Sequence, residues 1–226
     1  VILKLINRTL ITLLIMALFL FLPIGTLNWP SAWIFLFLQG SFEVSIACWL
    51  AKYDPELLKE RRSFVIQRGQ KKWDKVVMIL FSILQITWLP FVAFDVAYSQ
   101  GNLVPVFVKV VAAILIITGF YIFYLVFREN SYASPVVKIQ KAREHKIVTT
   151  GPYRYVRHPM YSGSILYFIG IPLLLGSWYG LLFTFFLSIL LIIRSRLEEK
   201  ALVEEFSDPY IEYAKRVPFR FIPFVY

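Results

Sequence analysis

Residues 157–199 read RHPMYSGSILYFIGIPLLLGSWYGLLFTFFLSILLIIRSRLEE, and the threading of this stretch decides the fold. From His158, taken as neutral, to Ile193 no charge occurs over 36 residues. The apolar part, 164–193, would be about 45 Å long as one helix at 1.5 Å per residue. A bilayer core is about 30 Å thick. A single tilted span would leave the His158 end and the Arg194 end on opposite sides. Two short helices joined at Gly176-Ser177-Trp178-Tyr179-Gly180 bring those ends back together. Glycines flank that segment and Pro172 precedes it, as turn chemistry requires. The stretch therefore predicts a helical hairpin, each limb short for a full crossing and so tilted or buried against its neighbours.

The chain upstream has the same character. Thr9–Phe42 carries no charge over 34 residues, Val76–Phe94 none over 19, and Val110–Phe127 none over 18. These runs predict four further spans, roughly 8–27, 31–50, 76–98 and 106–127, each close to the ~20 residues a crossing needs. Of the 226 residues, 58% are apolar and 17% charged, against ~45–50% and ~25% in soluble domains. An ordinary soluble domain and a disordered chain are both excluded. Cys48 is the sole cysteine, which excludes a disulfide scaffold, and it reads as a small packing residue. The first apolar run is longer than a usual signal-peptide core and no small-x-small site follows it, so a retained span is expected.

Lys and Arg number 24 against 14 Asp and Glu, a net charge of +10. Lys4 and Arg8 precede the first run. Eight basic residues lie between Lys52 and Lys75, seven between Arg128 and Arg157, and six from Arg194 onward. The connections near 23–30, 99–105 and 176–180 have none; Lys109 alone breaks the alternation. This is the positive-inside pattern, so the basicity encodes topology and nucleic acid is not expected as a partner. The fold expected is all-α and integral to the membrane, multi-pass, with six transmembrane helices and both termini cytoplasmic. Its last two spans form a short hairpin, followed by a C-terminal helix. Trp29, Trp33, Trp73 and Trp178 suit interface anchoring. Glu43 lies mid-run, where an ionisable group is costly; it either faces a substrate cavity or hydrogen-bonds to a neighbouring helix. Asp95, near a span end, reads as interfacial.

The polar stretch between the fourth span and the hairpin is about 35 residues, a length that is usually functional when ordered. It ends in Gly151-Pro152-Tyr153-Arg154-Tyr155-Val156-Arg157-His158-Pro159-Met160-Tyr161-Ser162-Gly163. Gly-Pro fixes a turn, Pro159 suits the first turn of the next helix, and Gly163 permits close approach. After the hairpin comes Arg194-Ser195-Arg196-Leu197-Glu198-Glu199, in which Arg194 and Glu198 share a helix face. If the hairpin closes, His158, Arg194 and Glu198 line one pocket at the membrane surface.

These two motifs resemble those of the isoprenylcysteine carboxyl methyltransferases. The resembling residues are Gly151-Pro152-Tyr153-x3-Arg157-His158-Pro159-x-Tyr161-x-Gly163 with His145-x-Ile147-Val148 upstream. They continue through Arg194-x3-Glu198-Glu199-x-Ala201-Leu202-x3-Phe206-x3-Tyr210-x2-Tyr213-x3-Val217-Pro218. The wider group includes phospholipid N-methyltransferases. The likeness covers roughly 105–226, which would be the methyltransferase core, while 1–104 would be N-terminal membrane helices with a basic cytoplasmic loop. The resemblance implies S-adenosylmethionine-dependent methyl transfer to a lipophilic prenyl or acyl acceptor among membrane lipids, without a metal and without a Rossmann domain. Carried over residue by residue, the cofactor pocket would use His145, Lys146, Ile147, Val148, Tyr153, His158, Pro159, Met160, Tyr161 and Glu198. Arg194 would hold the acceptor carboxylate and act in catalysis. Ser207 departs from the glycine common after Phe206 in the family, and Lys146 stands at a variable position.

The residue types suit the chemistry. A sulfonium loses its charge during transfer, so proximity and alignment can carry catalysis. A carboxylate with a pKa near ~3.5 is already ionised at pH 7 and needs no base. Arg194 can grip it through a bidentate fork. Glu198 suits ribose hydroxyls or an ammonium, and Tyr153 and Tyr161 suit adenine or a cation. An amine acceptor would instead require a base, with Glu199 or His158 as candidates. The best specific expectation is the C-terminal carboxylate of a prenylated cysteine. The alternatives are phospholipid N-methylation, an NADPH-dependent sterol-type reduction (such reductases share an Arg-His-Pro-x-Tyr-x-Gly-like element), and a non-catalytic membrane protein.

Overall fold

The computed structural model describes residues 2–63 (side chains from Ile6), 66–67, 69–99, 104–138, 140, 143 and 145–225. Arg68 and Lys141 of the basic segments, and residues 100–103 of the third-to-fourth connection, lie outside the described residues, as does the side chain of Lys4. Among the described residues eight α-helices follow in order: α1 (Ile2–Ile24), α2 (Pro30–Tyr53), α3 (Pro55–Arg61), α4 (Lys72–Tyr98), α5 (Val106–Glu129), α6 (Pro159–Leu175), α7 (Leu181–Phe206) and α8 (Asp208–Arg216). A 3-10 turn at Gly151–Arg154 precedes α6. Among the described residues there is no strand.

α1, α2, α4 and α5 are long and apolar enough to cross a membrane. They expose Leu14, Leu22, Phe37, Ile83 and Ile114 on their outer faces, an apolar surface that a soluble monomer rarely shows. Inward, Leu20, Phe35, Val92, Ile116, Leu175 and Leu187 form one core. Cys48, expected to pack, is instead exposed. It lies on the outward side of α2, where no neighbouring helix covers it.

The hairpin forms between α6 and α7. α6 stops where Gly176 takes φ +104°, a left-handed conformation open to glycine at little cost. The turn is tied to α4. Ser177 Oγ donates to Asp95 Oδ2 at 2.6 Å and accepts from Gly180 N at 2.9 Å, and Trp88 Nε1 donates to the Gly180 carbonyl at 3.1 Å. Thr184 Oγ1 closes the limbs by donating to the Phe168 carbonyl at 2.6 Å. Ser177 is thus fully buried, while Trp178 and Tyr179 are the exposed residues of the turn. At 17 residues, α6 is about 25 Å long, a short limb as expected.

α6 also packs backbone to backbone on α5. A Cβ built on Gly119 would stand 2.7 Å from the Gly163 carbonyl oxygen, and one on Gly163 would stand 3.0 Å from that of Gly119. Helices in a bilayer gain little from hydrophobicity and rely on such close packing. The contact fixes the start of α6, and with it the His158 motif, against α5.

Candidate functional site

Closing the hairpin brings the start of α6 beside the middle of α7. Pro159 begins α6 with His158 as its N-cap. Tyr161, in the first turn, donates its hydroxyl to Glu198 Oε2 at 2.6 Å. His158 stacks parallel on Tyr161 with ring centroids 5.2 Å apart, and Phe221 packs its edge near both rings. Arg194 lies near the Tyr161 ring at 5.9 Å. Flanked in this way, Tyr161 contributes its hydroxyl more than an open aromatic face.

Glu199, next to Glu198, points away from the cavity and anchors the C-terminal segment. Its Oε1 accepts from Arg157 Nε at 2.7 Å and pairs with His158 Nε2 at 3.2 Å, and its Oε2 accepts from Arg220 Nε at 3.0 Å. Burial alone would raise this carboxyl, but the donors outweigh burial and hold it down at about 2. Arg157 N and His158 N donate to the Phe219 and Arg220 carbonyls, both at 2.9 Å. Arg157 Nη1 reaches the Val217 carbonyl at 2.7 Å. The suggested base role of Glu199 is therefore not what the geometry favours, because its carboxylate is saturated by three donors.

Asp74 of α4 is a fully buried carboxylate. Its Oδ1 accepts from Arg194 Nε at 2.9 Å, and its Oδ2 from Gln70 Nε2 at 2.9 Å and Val137 N at 2.8 Å. Arg194 Nη2 also donates to the Pro135 carbonyl at 2.7 Å. Nη1 and one hydrogen of Nη2 remain for an acceptor, so the guanidinium approaches it end-on. Arg61 of α3 donates to the Ala133 carbonyl at 2.8 Å and lies 4.1 Å over the Phe127 ring. Burial pulls Arg61 down to about 10, which leaves it charged at pH 7. Two arginines thus hold the irregular segment after α5.

Two cavities meet here. The first, narrow at about 120 Å³, is lined by His145, Lys146, Ile147, Val148, Tyr153, His158, Met160, Tyr161, Arg194 and Glu198. The carried-over residues converge on it with one exception. Pro159 is fully buried and does not line the cavity; its place is in the first turn of α6, where it shapes the backbone. Residues not singled out for the site also contribute, among them Asn130, Tyr132, Phe206, Tyr210 and Tyr213. Asn130 Nδ2 donates to the Tyr153 hydroxyl at 2.7 Å, whose pKa burial pushes up. His145 lies 4.4 Å from the Tyr132 ring and meets Phe206 edge-on. Its Nδ1 is buried with no hydrogen-bond partner. Burial pulls His145 below the ordinary imidazole value, so it is neutral at pH 7.

The second cavity, about 520 Å³, lies among the membrane helices. Phe42, Phe81, Phe120, Phe123 and Phe168 line it together with Arg8, Arg61, Arg62 and Arg194, and among the described residues Glu43 is the only acid that does. Met160, Tyr161 and Arg194 line both cavities and so form the wall between them.

The comparisons follow this geometry. A family model described as phospholipid methyltransferase matches residues 107–209. The yeast Saccharomyces cerevisiae protein-S-isoprenylcysteine O-methyltransferase is 33% identical over 177 residues, 77% of this chain and 72% of that protein. The human protein-S-isoprenylcysteine O-methyltransferase is 36% identical over 98 residues, 41% of this chain and 33% of that protein. A mouse Delta(14)-sterol reductase is 28% identical over 169 residues, 66% of this chain and 38% of that protein. The human and mouse matches each cover less than half of those proteins. The likeness to the yeast protein runs through most of both chains, and by it this chain belongs to the protein-S-isoprenylcysteine O-methyltransferase family.

Proposed function

We propose that this protein transfers a methyl group from S-adenosylmethionine to the carboxylate of a prenylated cysteine at the cytoplasmic face of a membrane. The observation that carries the reading is the shared wall. Among the described residues, an aqueous-side cavity and an intramembrane cavity meet only at Met160, Tyr161 and Arg194. One reactant that is water-soluble and one that is lipid can meet at such a wall without either leaving its own phase.

The residues of the first cavity fit an adenosyl sulfonium. Glu198 offers an acceptor for ribose hydroxyls or the ammonium. The unpartnered Nδ1 of neutral His145 and the aromatic groups of Tyr132 and Phe206 suit a flat heterocycle. When bound, S-adenosylmethionine supplies an electrophilic methyl on sulfur. Arg194, held by Asp74 and the Pro135 carbonyl, orients the acceptor anion toward that methyl. No proton need move, because the acceptor is ionised at pH 7. Tyr161 fixes Glu198, and Glu199 with Arg157 and Arg220 fixes the backbone around His158.

An anionic acceptor is favoured over an ammonium because four arginines and one glutamate line the second cavity. That charge balance weighs against phospholipid N-methylation. The chain crosses the membrane six times with both termini inside, supported by basic connections that alternate with uncharged ones and by the closed hairpin. Residues 105–226 supply most of the first cavity, whereas helices from 1–104 supply much of the second.

Two measurements test this. Calorimetry on detergent-purified protein should show binding of S-adenosylhomocysteine and not of NADPH. Labelled-methyl transfer should reach N-acetyl-S-farnesylcysteine and not phosphatidylethanolamine. Binding of NADPH alone, or methylation of the amine alone, would overturn the reading. A cysteine at Tyr179 should react with an impermeant reagent from outside the cell; labelling from the cytoplasm alone would refute the topology.

A further inference from the structure

The second cavity is not uniformly apolar. Polar side chains from four helices converge on it: Thr12 of α1, Gln39 and Glu43 of α2, Gln85 of α4 and Tyr167 of α6. Gln39 Nε2 donates to Glu43 Oε1, and the Tyr167 hydroxyl donates to Gln39 Oε1, both at 2.8 Å. Gln85 stands thirteen residues into α4, about 20 Å from the start of that helix, and it is exposed. Among the described residues no hydrogen bond to its amide is found. A polar side chain at such depth ordinarily finds a partner, and a cavity for plain hydrocarbon has no need of these groups.

We propose that this cavity takes a lipid acceptor whose tail carries a hydroxyl, placed part-way along it and held between Gln85 and the Gln39–Glu43–Tyr167 chain. The inference rests on the methyl-transfer reading above and deepens its substrate class. A hydroxyl donates one hydrogen bond and accepts others, which matches a glutamine amide on one wall and a carboxyl on the other. An ammonium fits less well, because Arg8, Arg61, Arg62 and Arg194 line the same cavity. Tyr161, at the shared wall, and Tyr167 are six residues apart on α6, a rise of about 9 Å. The hydroxyl therefore sits roughly 9 Å from the methylated carboxylate, on the first isoprene unit of a prenylcysteine.

The test compares N-acetyl-S-farnesylcysteine with its analogue hydroxylated on the first isoprene unit. Binding to detergent-purified protein is read by calorimetry, and turnover by labelled-methyl transfer. The hydroxylated lipid should bind about tenfold more tightly, the worth of one to two hydrogen bonds. Gln85→Leu and Tyr167→Phe should each bring the ratio toward one, with S-adenosylhomocysteine binding confirming that each variant is folded. Equal or weaker binding of the hydroxylated lipid to the wild-type protein, or a ratio unchanged in both variants, would overturn the proposal. Binding preference without methylation of either lipid would overturn the proposed reaction and leave this inference standing. Equal binding and equal methylation of both lipids would do the reverse.

Discussion

Replacing Asp74 by asparagine tests how the two cavities are held together. Three donors converge on its two oxygens: Arg194 Nε at 2.9 Å, Gln70 Nε2 at 2.9 Å and Val137 N at 2.8 Å. An asparagine has one acceptor oxygen, so its NH₂ must face either the guanidinium or the other two donors. At least one charge-assisted bond is lost, about 1.5–3 kcal/mol, and a buried arginine loses its counter-charge. The total expected loss is about 3 kcal/mol, at the low end for breaking a buried pair. Val137 borders the first cavity and Arg194 borders both, so the damage should appear in two readouts. Denaturant unfolding in detergent micelles should show the stability loss, and steady-state kinetics should show a raised KM for the acceptor with weaker S-adenosylhomocysteine binding. A change below about 0.5 kcal/mol, the ordinary scatter of a surface substitution, together with wild-type kinetics, would refute the claim that Asp74 holds Arg194 in place.

Glu198→Ala should weaken S-adenosylhomocysteine binding at least tenfold by calorimetry, whereas Arg194→Ala should chiefly lower turnover of the acceptor. Ser207 has φ +50° and ψ −127°, a conformation costly for any residue with a Cβ. Ser207→Gly should therefore raise stability by about 1 kcal/mol in a denaturant melt. Glu199 is depressed to about 2 from an ordinary 4.5, so its contribution is complete above about pH 4.5 and is lost as pH falls toward 2. Acid titration of Glu199→Gln should lack the part of the wild-type stability loss that falls in this window. Gly119→Ala should destabilise by about 1–3 kcal/mol, measured by thermal unfolding, because the added methyl meets the Gly163 backbone at 2.7 Å.

The hairpin was legible because its signals are local: an over-long uncharged run, two glycines and a proline. Most of the first cavity was legible through the two motifs, since adjacent residues in one turn move together when the hairpin closes. Pro159 does not line that cavity, because a motif position can shape the backbone without facing the space its neighbours enclose. Asp74 was not legible. It sits in a basic juxtamembrane segment that reads as topology, and its partner Arg194 is 120 residues away. Glu199 stood beside Glu198 with nothing in the spacing to say which faced the cavity; the C-terminal residues 217–221, folded back on the start of α6, decide that. Gln85 was hidden inside an uncharged run, where an amide leaves no mark on a charge pattern.

The wall shared by the two cavities also bears on how a turnover ends. In the proposed reaction esterification would erase the negative charge that draws the acceptor to the guanidinium, and the neutral product would have less to hold it there than its precursor had. It can slip back sideways into the surrounding hydrocarbon while the spent nucleoside, still polar, departs into water. In the proposed reaction the arginine that gathers the acid would thus discriminate against the ester, and electrostatics would favour forward flux.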